Sequence, residues 1–252
     1  MPAAGVHRFL SGYDRNLWMP FQTRRGCPMN CSYCSTAMIE GRIIRKRSPG
    51  AAMEELKNCV AAGFRQFYFV DNTFNLPASY AKEICRLIID QGFHIDWQCI
   101  FYPGFGDEDL IRIMAEAGCR GVGLGFESGC VRILKNMNKR FNPEEVRRTS
   151  LMLAKHGIRQ MGFLMLGGPG ETRESVLESL AFADSLPLDS VKVSQGIRNY
   201  PNTTLAKIAV DEGVIRPDDR LLAPTFYMVR EIEDWLKETV QMRMEERSNW
   251  MT

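Results

Sequence analysis

Residues 66–101 read QFYFVDNTFNLPASYAKEICRLIIDQGFHIDWQCIF. The apolar run Gln66–Val70 ends in the polar pair Asp71-Asn72. Ile84, Leu87 and Ile88 then recur at helical spacing, and a second apolar run, Ile95–Phe101, follows. Short apolar runs bounded by turn residues read as strands, and the spaced segment between them as a helix. The unit recurs, with candidate strands at Met19–Gln22, Gly121–Phe126, Met161–Leu166 and Ser190–Gln195. Asn142-Pro143-Glu144-Glu145 has the form of a helix start: an N-cap, a proline at the first helical position, then a carboxylate that reaches back. Strands alternating with helices predict a parallel sheet with right-handed crossovers. Six such units close partway into a barrel, so the expected fold is α/β, a partial (β/α)6 barrel. The expected organisation is an extension over 1–20, the barrel over 21–227 and a C-terminal helical segment over 228–252. Residues 1–20 look like a linker, as if the chain were one domain cut from a longer protein.

The 32 Lys+Arg against 30 Asp+Glu leave a net charge of +2, which argues against a dedicated nucleic-acid or membrane-surface binder. The basic run Arg42-Ile43-Ile44-Arg45-Lys46-Arg47 lacks interleaved aromatics and reads as a solvated face, or as an attractor for an anionic substrate. No window approaches the ~18 apolar residues of a membrane helix, and MPAAGVHRFL has no signal-peptide core. A soluble, cytoplasmic protein is expected. Of the eight cysteines, three crowd into one stretch, which fits a metal site in a reducing compartment better than a disulfide framework. Cys59, Cys85, Cys99, Cys119 and Cys130 are scattered and read as small buried hydrophobes.

In α/β folds of this kind, reactive groups gather where the strands end. Asp71-Asn72, Glu127-Ser128 and the run Gly167–Glu171 all follow candidate strands, so one mouth should collect them. The crowded cysteines, Cys27, Cys31 and Cys34, lie in GCPMNCSYC just after the first strand, spaced C-x3-C-x2-C. Iron–sulfur cubanes usually take four cysteines, so three leave one iron open. An open position is what separates catalytic metal sites from closed structural ones. A zinc site completed by another cysteine or histidine is the alternative, but the paired C-x2-C pattern it favours is missing.

This spacing, with Tyr33 just before the third cysteine, resembles the radical S-adenosylmethionine (SAM) superfamily. QTRRGCPMNCSYC, FVDNTFN, GLGFESG, LGGPGET and IRNYPNTTLAKIA are most similar to the radical SAM halves of its cobalamin-dependent members. The resemblance implies a partial (β/α)6 barrel and a [4Fe-4S] cluster on Cys27, Cys31 and Cys34. It also implies SAM bound at the open iron and cleaved by one electron to methionine and a 5′-deoxyadenosyl radical. The organic reaction belongs to the cofactor, and the protein supplies placement and exclusion of water.

The SAM contacts are carried over position by position. Tyr33 would meet adenine through its ring or backbone. The family's Gly-Gly-Glu motif after strand two is replaced by Asp71-Asn72-Thr73, of which Asp71 and Asn72 could hold the methionyl ammonium. Glu127, with Ser128, would take the ribose hydroxyls. Phe163–Glu171 resembles the pattern GxIxGxxGE near adenine: Gly167, Gly170 and Glu171 match, Met165 takes the Ile position, and Phe163 departs from the first glycine. Arg198 would pair with the SAM carboxylate. No catalytic side chain is assigned.

The expected partners are a small-molecule substrate and a reductant such as flavodoxin or ferredoxin. The leading function is a cobalamin-associated methyltransferase or related C–H functionalising enzyme. Alternatives are a radical SAM dehydrogenase or cyclase without cobalamin, and a non-catalytic iron–sulfur module. A tRNA methylthiotransferase is disfavoured, since a second three-cysteine cluster is missing. Cobalamin is expected only through a domain outside this chain. None of His7, His94 and His156 stands in Asp-x-His-x-x-Gly, because Gly5, Gly92 and Ala154 occupy the aspartate position.

Overall fold

Alternation decides which side of each strand meets the helices. In the computed structural model, which describes residues 17–252, Phe67, Phe69, Trp97, Cys99, Phe101, Val122, Leu124, Leu164, Leu166, Val191 and Val193 are all buried. Their neighbours Tyr68, Gln98, Ile100, Phe163 and Met165 are half-buried, and Lys192 and Ser194 are exposed. A period of two with one fully dry face is the mark of strands covered by helices on that side.

The strands are β1 (Met19–Phe21), β4 (Gln66–Phe69), β5 (Asp96–Phe101), β6 (Cys119–Glu127), β7 (Arg159–Leu166) and β8 (Ser190–Gln195). They correspond to the six expected runs, with no end shifted by more than two residues. All pair in parallel, in the order β1-β4-β5-β6-β7-β8-β11. The last member, β11 (Trp250–Met251), pairs in parallel with β8. Segment 228–252 therefore supplies a strand as well as a helix, and Met19 and Pro20 of the expected extension already belong to β1. A two-residue strand carries no periodicity, so nothing in the sequence signals it. Among the described residues β1 pairs only with β4 and β11 only with β8, so these strands do not close into a full barrel.

Helices α2 (Pro49–Ala61), α3 (Ala78–Asp90), α4 (Glu108–Glu116), α6 (Pro143–Lys155) and α7 (Arg173–Asp184) fill the crossovers. Ile84 and Ile88 of α3 are fully buried, as the spacing predicts, while Leu87 packs at the margin of the core. Asn142 and Glu145 close the expected capping box at the start of α6. Trp97 and the rings of Phe21, Phe67, Phe69 and Phe74 share one core, where each fully buried large side chain contributes roughly 1.5–3 kcal/mol. Cys85, Cys99, Cys119 and Cys130 are buried there or nearby, and Cys59 lies at the core margin. No described helix is long and apolar enough to cross a membrane.

Two small hairpins flank the mouth. The first joins β2 (Arg24–Arg25) to β3 (Arg45–Lys46), and the loop between them carries the three cysteines. The second joins β9 (Ile197–Arg198) to β10 (Phe226–Tyr227).

Candidate functional site

The cysteine loop is fixed by its own backbone. Gly26 has φ +97°, and a side chain there would strike the backbone carbonyl of Ile43, so glycine is required. Cys27 N–H donates to the Gly41 carbonyl at 3.0 Å, Ser32 N–H to the Met137 carbonyl at 3.0 Å, and Cys34 N–H to the Cys31 carbonyl at 3.2 Å. Cys27 is buried, whereas Cys31 and Cys34 are half-buried. Burial pushes the Cys27 and Cys31 thiols up, and the Lys139 ammonium opposes it at both. Metal ligation demands thiolates, so thiols held protonated by burial couple metal uptake to proton release. Among the described residues, no group of three His, Cys, Asp or Glu side chains converges on a single-ion site. A cubane asks for less convergence, since each thiolate takes a different iron. A soft three-thiol loop of this kind fits such a cluster.

At the end of β6 the backbone departs from regular pairing. The register with β7 shifts between Gly125 and Glu127, and Glu127 itself has φ +62°. A non-glycine residue in the left-handed region costs energy and recurs at functional sites. The Glu127 carboxylate is buried, and its Oε1 accepts from Tyr33 Oη at 3.1 Å and from Lys139 Nζ at 3.1 Å. The Lys139 side chain is 5% exposed, and its ammonium lies 5.2 Å from the Tyr33 ring centroid. Burial alone would lower the Lys139 pKa, yet Glu127, then Tyr33 and Cys31, hold it well above the ordinary lysine range. Tyr33 is raised in turn, first by burial and then by Glu127. Glu127 is thus tied to the cysteine loop through Tyr33 and a buried cation. Lys139 escapes a sequence reading because Asn138-Lys139-Arg140 looks like an ordinary basic turn.

Two of the residues expected to hold SAM have their side chains engaged within the protein. Asp71 is buried with both oxygens committed: Thr23 N at 2.8 Å, Thr23 Oγ1 at 2.5 Å, and Arg24 through its N at 3.0 Å and Nε at 3.2 Å. Its carboxylate balances the buried Arg24 guanidinium and is not open to an ammonium. Ser128 is also fully buried; its hydroxyl meets Ser179 Oγ at 2.8 Å and accepts from Cys130 N at 3.1 Å, leading into α5 (Val131–Asn136). Asn72 keeps a role at the mouth. Its amide donates to Glu40 Oε2 at 2.5 Å, and the same oxygen accepts from Gly26 N at 3.0 Å, which links strand β4 to the cysteine loop.

Tyr33 and Met165 pack on one apolar cluster with Met137, Ile197 and Tyr227. Gly167, at φ +91°, sits against the Met228 sulfur, and its left-handed backbone strains any residue with a side chain. Glu171 pins this turn: its Oε2 accepts from Gly167 N and, at 3.0 Å, from Gly168 N. Burial pushes the Glu171 carboxyl up to about 7, against the two backbone donors and Arg132. The folded chain therefore binds this proton more tightly than the unfolded chain. Stability contributed by the protonated form is fully present below the ordinary value of 4.5 and is lost as pH rises through about 7. The expected slope is on the order of 1 kcal/mol per pH unit, read from urea midpoints between about pH 5 and about pH 7.5. Glu171→Gln should flatten it; an identical slope in the variant would show that Glu171 does not titrate as a buried group.

Three polar atoms at this end are buried without a partner: Arg198 Nε, Asn199 Oδ1 and Glu171 Oε1. The Arg198 guanidinium lies 4.9 Å from the Tyr200 ring centroid. Buried polar groups are normally satisfied, so unpaired ones mark a place where a ligand can bond. Nothing in the sequence singles out Asn199; its orphaned oxygen becomes visible only with the hairpin β9–β10 in place.

Comparison with known proteins identifies the family and the fold. An uncharacterized methyltransferase of Pyrococcus horikoshii, PH0819, is 31% identical over 194 residues, which cover 77% of this chain and 42% of that protein. The cytidylyl-2-hydroxyethylphosphonate methyltransferase of Streptomyces wedmorensis is 26% identical over 216 residues, 81% of this chain and 40% of that protein. Among solved structures, the radical SAM methyltransferase TsrM of Kitasatospora setae, with cobalamin and a [4Fe-4S] cluster bound, superposes with TM-score 0.75 at 24% identity. The match covers 81% of this chain and 38% of that one. The cobalamin-dependent SAM radical enzyme OxsB gives TM-score 0.72 at 17% identity, over 90% of this chain and 41% of that one. At these identities the two structures show a shared fold. The chain spans about two fifths of the length of these relatives. The Radical SAM superfamily model matches residues 22–183, well over half of the chain. The chain belongs to the radical SAM superfamily.

Proposed function

We propose that this chain is the SAM-binding catalytic domain of a radical methyltransferase acting on a small molecule. The observation that carries the reading is the three-cysteine loop, which packs through Tyr33 on the cluster that holds Ile197, next to the unpaired Arg198 Nε and Asn199 Oδ1. Cys27, Cys31 and Cys34 hold the cluster. When bound, the cluster supplies the single electron that cleaves SAM reductively.

The remaining residues place the cofactor. Glu127 accepts from the ribose hydroxyls while Lys139 balances its charge. Asn72 donates or accepts at the methionyl end, and Arg198 offers Nε to the carboxylate. Met165 and the Tyr33 ring give the adenine an apolar surface, and Gly167 lets it approach the backbone. Methyl transfer is inferred from the activities of methyltransferase relatives. Cobalamin, which TsrM and OxsB bind, would be held by another part of the polypeptide. Of the described histidines, His94 precedes β5 and His156 caps the C-terminal end of α6 ahead of β7, both at the strand ends away from the mouth. A reductant protein supplies electrons, and thiols that must stay reduced suit a cytoplasmic setting.

The test is SAM cleavage. Anaerobically reconstituted chain, reduced with dithionite, is expected to form 5′-deoxyadenosine from SAM without any added substrate. Iron-loaded chain that binds no SAM and forms no deoxyadenosine would overturn the proposal in favour of an electron-transfer or structural iron–sulfur module.

A further inference from the structure

Hairpin β2–β3 sets Arg25 directly opposite Arg45, and Arg24 opposite Lys46. Directly opposed residues of antiparallel strands share a face, and like charges so placed repel. The second pair is compensated, because Arg24 is bound to Asp71 at 3.2 Å and Lys46 lies 5.3 Å from the Tyr80 ring centroid. The first is not. Among the described residues neither Arg25 nor Arg45 has a carboxylate partner, and the side-chain bond of Arg25 runs from Nε to Gln22 Oε1 at 2.7 Å. Its two terminal nitrogens remain available.

Both arginines line a cavity of about 590 Å³, together with Lys46 and Arg47. The one carboxylate there, Glu55, is engaged by Arg47 at 2.5 Å. Arg25 and Arg45, which share one face of the hairpin, thus line this space without a carboxylate partner. Pro20, Gln22 and Val70 form its other wall, at the C-terminal ends of β1 and β4. The cavity therefore lies on the β1 side of the mouth, and Arg25 stands two residues before Cys27. Two guanidinium forks on one concavity match the oxygens of a phosphoryl group, which Arg binds bidentately. A carboxylate would leave most of these donors unused.

We propose that the Arg25–Arg45 cleft is a subsite for the phosphoryl or pyrophosphoryl group of the substrate, anchoring it beside the cysteine loop. This rests on the reading of the chain as a substrate-binding catalytic domain, but its test needs neither cluster nor SAM. Inorganic pyrophosphate is titrated calorimetrically into the chain at low ionic strength. The expected result is one site per chain, weakened at least tenfold in R25Q/R45Q and unchanged in Arg216→Gln, whose guanidinium is already paired with Asp218. The single variants R25Q and R45Q, each with circular dichroism, guard against misfolding of the double variant and should each lose several-fold. Absence of binding, or equal binding by wild type and R25Q/R45Q, would overturn the proposal. So would binding of an acidic flavodoxin at this cleft with none of pyrophosphate, which would assign it to a protein partner. Failure here leaves SAM cleavage untouched, and failure of SAM cleavage leaves the pyrophosphate isotherm unchanged.

Discussion

Replacing Cys31 by alanine is expected to abolish iron retention and SAM cleavage together. Its thiol lies at the middle of the C-x3-C-x2-C loop, half-buried, with Lys139 and the other two thiols around it. Two thiolates leave two irons of a cubane unheld, and such clusters depend on near-complete cysteine ligation. Cys59→Ala is the control, since Cys59 lies at the core margin away from the loop. Iron content by colorimetric assay and 5′-deoxyadenosine by chromatography should both fall to background in the first variant and stay at wild-type levels in the second. Retention of iron by Cys31→Ala would remove this thiol from the ligand set.

Lys139→Met should cost roughly 3–5 kcal/mol of folding stability, measured by urea unfolding, because it strands a buried carboxylate. Glu127 already carries a left-handed backbone, and among the described residues its Oε1 has only Tyr33 and Lys139 as partners. Glu127→Gln should be damaging for the reciprocal reason, while the double variant should recover part of the loss. That recovery is the coupling energy of the pair. The same carboxylate gives a second readout. Loss of a charge-assisted bond to ribose is worth about 1.5–3 kcal/mol, so folded Glu127→Gln should bind SAM roughly tenfold to a hundredfold more weakly at unchanged iron content. Additive single effects on stability, with no change in SAM affinity, would reduce Glu127 and Lys139 to independent structural residues.

The sheet is legible in the sequence because burial imposes a period that survives there. Phe67 and Phe69, or Val191 and Val193, advertise a covered face without any knowledge of their neighbours. The seventh strand is not legible, since Trp250 and Met251 make a strand only by lying against Val191 and Lys192. The same division runs through the site. The cysteine loop can be read locally, because its residues are adjacent in the chain. Asp71 misleads because its charge partner, Arg24, stands 47 residues earlier, and composition does not reveal a pairing across a sheet. Ser128 misleads in the same way, its partner Ser179 lying 51 residues on. Lys139 stays hidden since burial, which turns a solvated lysine into the counter-charge of Glu127, is a property of the folded mouth alone.

We propose that Cys27, Cys31 and Cys34 hold a cubane whose remaining iron is open to SAM. EPR of the anaerobically reconstituted, reduced chain, recorded with and without SAM and paired with metal analysis, tests it most directly. About four irons and four sulfides per chain are expected, with a reduced-cluster signal that changes when SAM is added. Stoichiometric zinc with no iron uptake, or a cluster signal indifferent to SAM, would contradict it.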